Sequence, residues 1–190
     1  MATNSTTTGY LAPTTAPEYD DALNDILHDA IVGITGITGD LVRPRWQPEP
    51  PTQPAFTTNW CAFGIVRSVV DEFAAETMAA SGTYTVERDE QLFTLHSFFG
   101  PSSHAYAERL RDGISVPQNR DALLAHNVAV QEVQEATILP ALLKEKWTRR
   151  VDVTIVYRRR TSRVYSVLTI ASAVGTLVTE SRTVPLTVTP

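Results

Sequence analysis

An apolar strand that runs through Gly-Pro-Ser-Ser into an amphipathic helix, QLFTLHSFFGPSSHAYAERL from Gln91 to Leu110, commits this chain to packing a helix against a sheet. About forty residues later, KEKWTRRVDVTIVYRRRTSRVYSV, from Lys144 to Val167, supplies a second strand for that sheet. Within it Val151, Val153, Ile155 and Tyr157 share one face, while Asp152, Thr154 and Arg158 project from the other, the pattern of a half-buried antiparallel strand. The fold class expected is α+β, an antiparallel β-sheet flanked by helices, with extended N- and C-terminal arms.

The rest of the chain fits around these two segments. Residues 1–16 are Thr, Ser, Ala and Pro with little to bury, which predicts a flexible N-terminal arm. A helix should start near Pro17 to Asp20, where Pro and acidic residues suit a first turn. Its buried face is Tyr19, Ala22, Leu23, Ile26, Leu27, Ala30 and Ile31, and Gly33 is its expected stop. GITGITGD, Gly33 to Asp40, lacks the Lys-Ser/Thr of a phosphate-binding loop and reads as helix exit and turn. A strand is expected at Leu41 to Trp46, then an exposed polyproline-like loop at Pro48 to Pro54.

Trp60 to Val70 is rich in β-branched and aromatic residues and reads as a strand. Asp71 to Gly82 fits a helix or a loop. Thr83 to Arg88 and Gln91 to Phe99 flank the acidic ERDE, Glu87 to Glu90, either as a hairpin around a solvated turn or as one long bent strand. After Gly100-Pro101, Ser102 or Ser103 is the expected cap of a helix over His104 to Arg111, with Tyr106, Ala107 and Leu110 inward. Pro117 opens a short helix packing Leu123 and Leu124, and Val128 to Glu135 alternates as a strand. Pro140 predicts a break or an edge. Arg158 to Arg163 is read as a basic turn, with Val164 to Ala173 returning from it. The main domain therefore covers residues 17–170, and the Thr/Val-rich residues 171–190 form a C-terminal strand or extension that pairs locally or reaches a neighbouring subunit.

The motifs exclude more chemistry than they admit. No GxSxG elbow accompanies a nucleophile, and His28, His96, His104 and His126 lack ligand spacing such as HExxH. The single cysteine, Cys61, excludes an intramolecular disulfide and sits in the mostly apolar TNWCAFGIV, as a buried reduced thiol would. There is no apolar run of membrane-spanning length and no signal-peptide pattern, so a soluble protein of a reducing compartment is expected. No catalytic, cofactor-binding or metal-binding residue is assigned.

Charge is the one property that points to contacts. The chain carries a formal charge of −5, which argues against free binding to nucleic acid. All six charges up to Asp40 are acidic, whereas eight cations between Lys144 and Arg163 face only Glu145 and Asp152. Such a gradient serves contacts between copies of one protein, or leaves two solvated faces on a monomer. The candidate subunit interface is Asp20, Asp21 and Asp25 on the acidic side, with Arg149, Arg150, Arg158, Arg159, Arg160 and Arg163 on the basic side. The competing use of those arginines is phosphate contact in a nucleic-acid-binding or packaging-associated accessory protein.

The segment FTLHSFFGPSSHAYAERLRDGI, Phe93 to Ile114, resembles the strand, FYGP-like turn and helix of bacteriophage neck or tail terminator proteins, the head-to-tail completion family. WTRRVDVTIVYRRR, Trp147 to Arg160, is similar to the late strand of that family, and the resemblance spans about Tyr19 to Leu168. It implies a structural virion protein without catalysis or cofactor, located at the neck or tail and assembled in the host cytoplasm. It further implies a hexameric ring joining a connector or adaptor to tail tube or sheath proteins, with DNA passing through the lumen and no membrane involved. The Thr-rich N-terminal arm and the Thr/Val-rich C-terminal extension depart from the family pattern.

Overall fold

In the computed structural model the described residues are 9–49, 51–79, 82–143, 145–167, 173–179 and 182–188. Helix α1 spans Asp20–Thr35, with Asp20 and Asp21 in its first turn. Leu23, Ile26, Leu27 and Ile31 are buried at the expected steps of three and four. Each full burial of this kind contributes about 1.5–3 kcal/mol. The helix does not stop at Gly33. Glycine inside a helix costs only about 1 kcal/mol, and the inward Thr35 still has core to reach. Gly36 ends the helix instead, in the left-handed region at φ 74°, with its amide donating to the Val32 carbonyl at 2.9 Å.

After a short 3-10 turn at Gly39–Leu41, strand β1 is only Val42–Pro44, shorter than expected, because Pro44 and the following bends end it. It runs parallel to β2, Trp60–Val70, with Val42 beside Cys61. Strand β3 is Ala75–Met78, so part of the undecided segment after Asp71 is neither helix nor loop. Strand β4 is Thr83–Phe99, one unbroken strand of 17 residues. ERDE is therefore not a turn. Its charges lie within a ladder, where Asp89 and Glu90 find arginines of the neighbouring strand.

Helix α2 covers Ser103–Gly113 and α3 covers Pro117–Leu124. Neither serine caps α2 through its side chain. Ser103 is buried, and the Ser102 amide donates to Asn59 Oδ1 at 2.8 Å. The preceding Gly100 has φ 109°, and a Cβ there would stand 2.6 Å from the Thr58 carbonyl oxygen, so only glycine fits. In α3, Leu123 packs but Leu124 is exposed, since one turn of contact is all that this short helix makes with the core.

Strand β5 is Val128–Val133, β6 is Thr137–Ile138, β7 is Ala141–Leu143 and β8 is Lys146–Thr148. The break at Pro140 falls between β6 and β7, as expected. Strand β9, Arg150–Ser166, is again 17 residues long. The basic segment Arg158 to Arg163 is thus strand rather than turn, and Val164 to Ser166 continue it instead of returning. Alternation persists through the arginines, with Tyr157, Arg159 and Thr161 buried and Arg158 and Arg160 exposed, so nothing in the backbone reverses.

Strands β1, β2, β4, β9 and β5 lie side by side in that order, with β3 pairing β4 and β6 pairing β9 to make seven strands. Apart from β1, the pairings β2–β4, β3–β4, β5–β9 and β6–β9 are antiparallel. Between β4 and β9, Thr94 reaches Ile155 and His96 reaches Val153, so one strand ascends as the other descends. The core lies on one face of this sheet: Cys61 and Phe63 of β2, Leu92 and Phe98 of β4 and Val151, Val153, Ile155 and Tyr157 of β9 meet Leu27, Ala107, Leu110 and Leu123 of the helices.

The chain divides into two compact units. The larger comprises Pro17–Ala74 and Arg88–Thr161 and holds the three helices with the core just described. The smaller draws on Met1–Ala16, Ala75–Glu87 and Ser162–Pro190. In it Ala75 to Met78 pair with Tyr84 to Glu87, and the Thr14 amide donates to the Val164 carbonyl at 2.7 Å. Of the predicted N-terminal arm, residues 1–8 lie outside the described residues. Strands β10, Ala173–Thr179, and β11, Arg182–Val188, pair with each other.

Candidate functional site

The acidic candidates stand on α1. Asp20, Asp21 and Asp25 are all exposed, because the helix turns its apolar stripe inward and its carboxylates out. Between α1 and α3 runs a groove of about 480 Å³ edged by Glu18, Asp25 and Asp29.

The six basic candidates are distributed by strand alternation into different environments. Arg159 faces the core side of β9 and is buried. Its Nε donates to Glu90 Oε2 at 2.8 Å, its Nη1 donates to the Glu18 carbonyl at 2.5 Å, and its guanidinium lies 4.4 Å from the Tyr19 ring centroid. The structure thus brings Arg159 to the threshold of α1 within one chain. It is a joint of the fold, with its side chain buried within one chain.

Arg158 and Arg160 lie on the opposite face of the same strand, more than half exposed. Both reach one carboxylate, Asp89, at 2.7 and 3.5 Å. The hydrogen bond from Arg158 holds the Asp89 carboxyl below its ordinary range. The two cations share this one carboxylate, and Asp71 also acts on Arg158.

Arg150 is tied into a network on that face. Its Nε and Nη2 grip Asp152 at 2.8 and 2.6 Å, a forked pair. Ser97 Oγ donates to the same Asp152 at 2.6 Å and accepts from Arg45. Asp152 is buried, contrary to its expected projection into solvent, because this face is itself covered where Arg45 and Arg150 cross it. Burial lowers the Arg45 pKa, and the nearby Arg150 charge lowers it further. Arg150 also lies 5.7 Å from the Phe99 ring, which stacks on Trp60 at 4.2 Å. Arg149 is exposed and donates to the Pro101 carbonyl at 3.2 Å. Arg163 is half-buried further along β9, in the smaller unit.

Asp89 and Glu90 organise the arginines within one chain, and ERDE lies in one long strand, the second of the two arrangements that its sequence allows. In the structure every second residue from Glu90 to Phe98 is buried, a register that the residue types alone do not announce, because Phe93, Leu95 and Phe99 make the other face equally apolar. Sequence reasoning overlooked the exposed apolar side chains of Ile138, Leu142 and Trp147 around the β7–β8 ladder.

Among the described residues no cluster of His, Cys, Asp and Glu is arranged to hold a metal. No helix among them is long and apolar enough to cross a membrane. What the geometry does offer is charged and apolar surface for contact with other proteins.

Residues 21–181 match the family model described as phage neck terminator protein. This chain belongs to the phage neck terminator protein family. It is accordingly a structural, non-enzymatic protein of the virion neck, where it assembles with other neck and tail proteins. The match covers both segments from which the resemblance was read, and the α+β architecture with a mostly antiparallel sheet agrees with it. A comparison with curated proteins finds no match.

Proposed function

We propose that copies of this neck terminator close into a sixfold ring that joins the connector or adaptor to the tail tube or sheath and lets DNA pass through its lumen. The observation that carries this reading is the opposition of charge on exposed surfaces. Asp20, Asp21 and Asp25 line the open face of α1, while Arg158 and Arg160 of β9 crowd one carboxylate, Asp89 of β4. The proposed subunit interface sets the first group of one copy against Arg149, Arg158 and Arg160 of the next, with Arg163 beyond them on β9. Arg150 and Arg159 support that surface from within, through Asp152 and Glu90. Opposed surfaces of this kind favour head-to-tail contacts, which close when the rotation between copies allows. The net charge of −5 favours DNA passage over retention, because like charge repels the phosphate backbone.

Cryo-electron microscopy of the virion, with neck density classified by symmetry, tests the ring directly. Sixfold density that accepts this chain supports the proposal. A neck containing the chain in any arrangement other than a closed ring overturns it.

A further inference from the structure

The α1–α3 groove is built to accept something apolar with a positive edge. Its base is Ile26, Ile34 and Leu123, of which Ile26 and Leu123 are buried. Its walls are kept open by Ala22, Ala30 and Ala122, whose short side chains leave the volume of about 480 Å³ between the helices. Its rim carries Glu18, Asp25 and Asp29, all exposed, with His126 Nδ1 3.9 Å from Glu18 and His28 Nδ1 3.1 Å from Asp29. An apolar trough under three carboxylates asks for a hydrophobic anchor flanked by cations.

The same chain displays such an anchor elsewhere. In the β7–β8 hairpin, Leu142 pairs directly with Trp147, and these side chains are 57% and 74% exposed. Ile138, at 64% exposure, shares a surface depression with Trp147 and Arg149. An indole left in water forgoes the burial of roughly 150–250 Å² that an aromatic side chain makes in a core or an interface. Exposed apolar clusters of this kind mark contact sites. The cations are in place too: Arg149 uses one bond on the Pro101 carbonyl, and Lys146 lies 5.4 Å from the Phe56 ring, so both keep their positive charge at the surface.

We propose that the β7–β8 hairpin of one copy inserts Trp147 into the α1–α3 groove of a second copy, with Lys146 and Arg149 meeting the Glu18, Asp25 and Asp29 rim. The contact rests on the reading that copies of this chain meet head to tail, and adds the hairpin and the groove to the charged surfaces through which they do so. Hairpin and groove share no residue. The contact is therefore heterologous, and each copy uses both of its halves at once. Trp and Arg are the side chains that most often dominate such interfaces, and truncation of a central one weakens association by about 30-fold or more.

The test places p-benzoylphenylalanine at position 147 and irradiates an equal mixture of ¹⁴N- and ¹⁵N-labelled full-length chains, before and after assembly into virions. Mass spectrometry then locates the adducts. Mixed-isotope adducts joining position 147 to residues 22–34 or 119–126 are expected, and Ala122→Arg, which fills the groove at an exposed position, should abolish them. Adducts on another surface of the chain, on a different neck protein, or only within one copy overturn the proposal. So does an undiminished yield with Ala122→Arg. A closed ring in micrographs combined with adducts elsewhere would sink this contact and leave the ring standing. Groove adducts without closed rings would do the reverse.

Discussion

Arg159 and Glu90 form an ion pair in which each side chain is only 4% exposed, with Arg159 Nε donating to Glu90 Oε2 at 2.8 Å. The pair closes one end of the core between β4 and β9 and is completed by Ser68, whose hydroxyl donates to Glu90 Oε1 at 2.5 Å. Removing one partner strands the other charge in a dry site, at a cost of about 3–5 kcal/mol. Arg159→Met or Glu90→Leu alone should therefore destabilise strongly. The double variant should recover most of the loss, because it leaves no unpaired charge. Urea unfolding of the four proteins gives the coupling; additive losses would show that the pair acts as two independent packing groups.

Cys61 is fully buried between β1 and β4, and burial pushes its thiol pKa up. A protonated, inaccessible sulfur is a poor nucleophile. Native protein should resist iodoacetamide at neutral pH on the timescale on which the urea-unfolded chain is fully alkylated. Rapid labelling of the folded protein, followed by mass spectrometry, would mean that β2 opens locally.

Much of this architecture is legible in the residues. The buried stripe of α1 and the alternation of Val151 to Tyr157 follow from periodicity, because apolar residues at period 3.6 or 2 have one economical way to be buried, and strand β2 follows from its β-branched and aromatic content. The two long strands were obscured by charge. ERDE and RRRTSR look like solvated turns when each is read singly, yet each supplies what the other needs in a ladder: Asp89 with Arg158 and Arg160, Glu90 with Arg159. That complementarity joins positions 69 residues apart and is invisible to a local window. For the same reason the basic surface was legible only as a composition. Alternation had to be known before Arg159 could be separated from its neighbours. The groove between α1 and α3 is likewise a product of how two helices meet, and no sequence period announces it.

The pairing of the arginines bears on nucleic acid. With Arg159 buried, Arg150 engaged by Asp152, and Arg158 and Arg160 sharing Asp89, few cations of the basic segment remain to neutralise phosphates. Retention on double-stranded DNA should be negligible at 0.15 M salt, and lowering the salt should yield a shallow dependence of roughly one to three phosphates. Filter binding across a salt series measures the slope. A slope of six or more, lost on Arg158→Glu with Arg160→Glu, would favour an accessory role in handling nucleic acid over passage through a neutral or acidic lumen.

His96 should make the fold sensitive to acid. It lies fully buried on the core face of β4, its Nδ1 donating to the Val153 carbonyl at 3.3 Å while the buried Nε2 has no partner among the described residues. Burial depresses its pKa from 6.5 to about 4, and the charge of Arg45 adds to the effect. The unfolded chain therefore takes up a proton between pH 6.5 and about 4 that the folded chain refuses. In this window stability falls as pH falls, and the full contribution is present only above the unfolded pKa. A shift of this size corresponds to about 3 kcal/mol, a large share of a typical domain's margin. Urea unfolding of the wild type should weaken by that order between pH 7 and pH 4.5, beyond the loss shown by His96→Phe, which keeps the ring shape and cannot titrate. Parallel pH profiles for the two proteins would show that acid lability arises from the carboxylates instead.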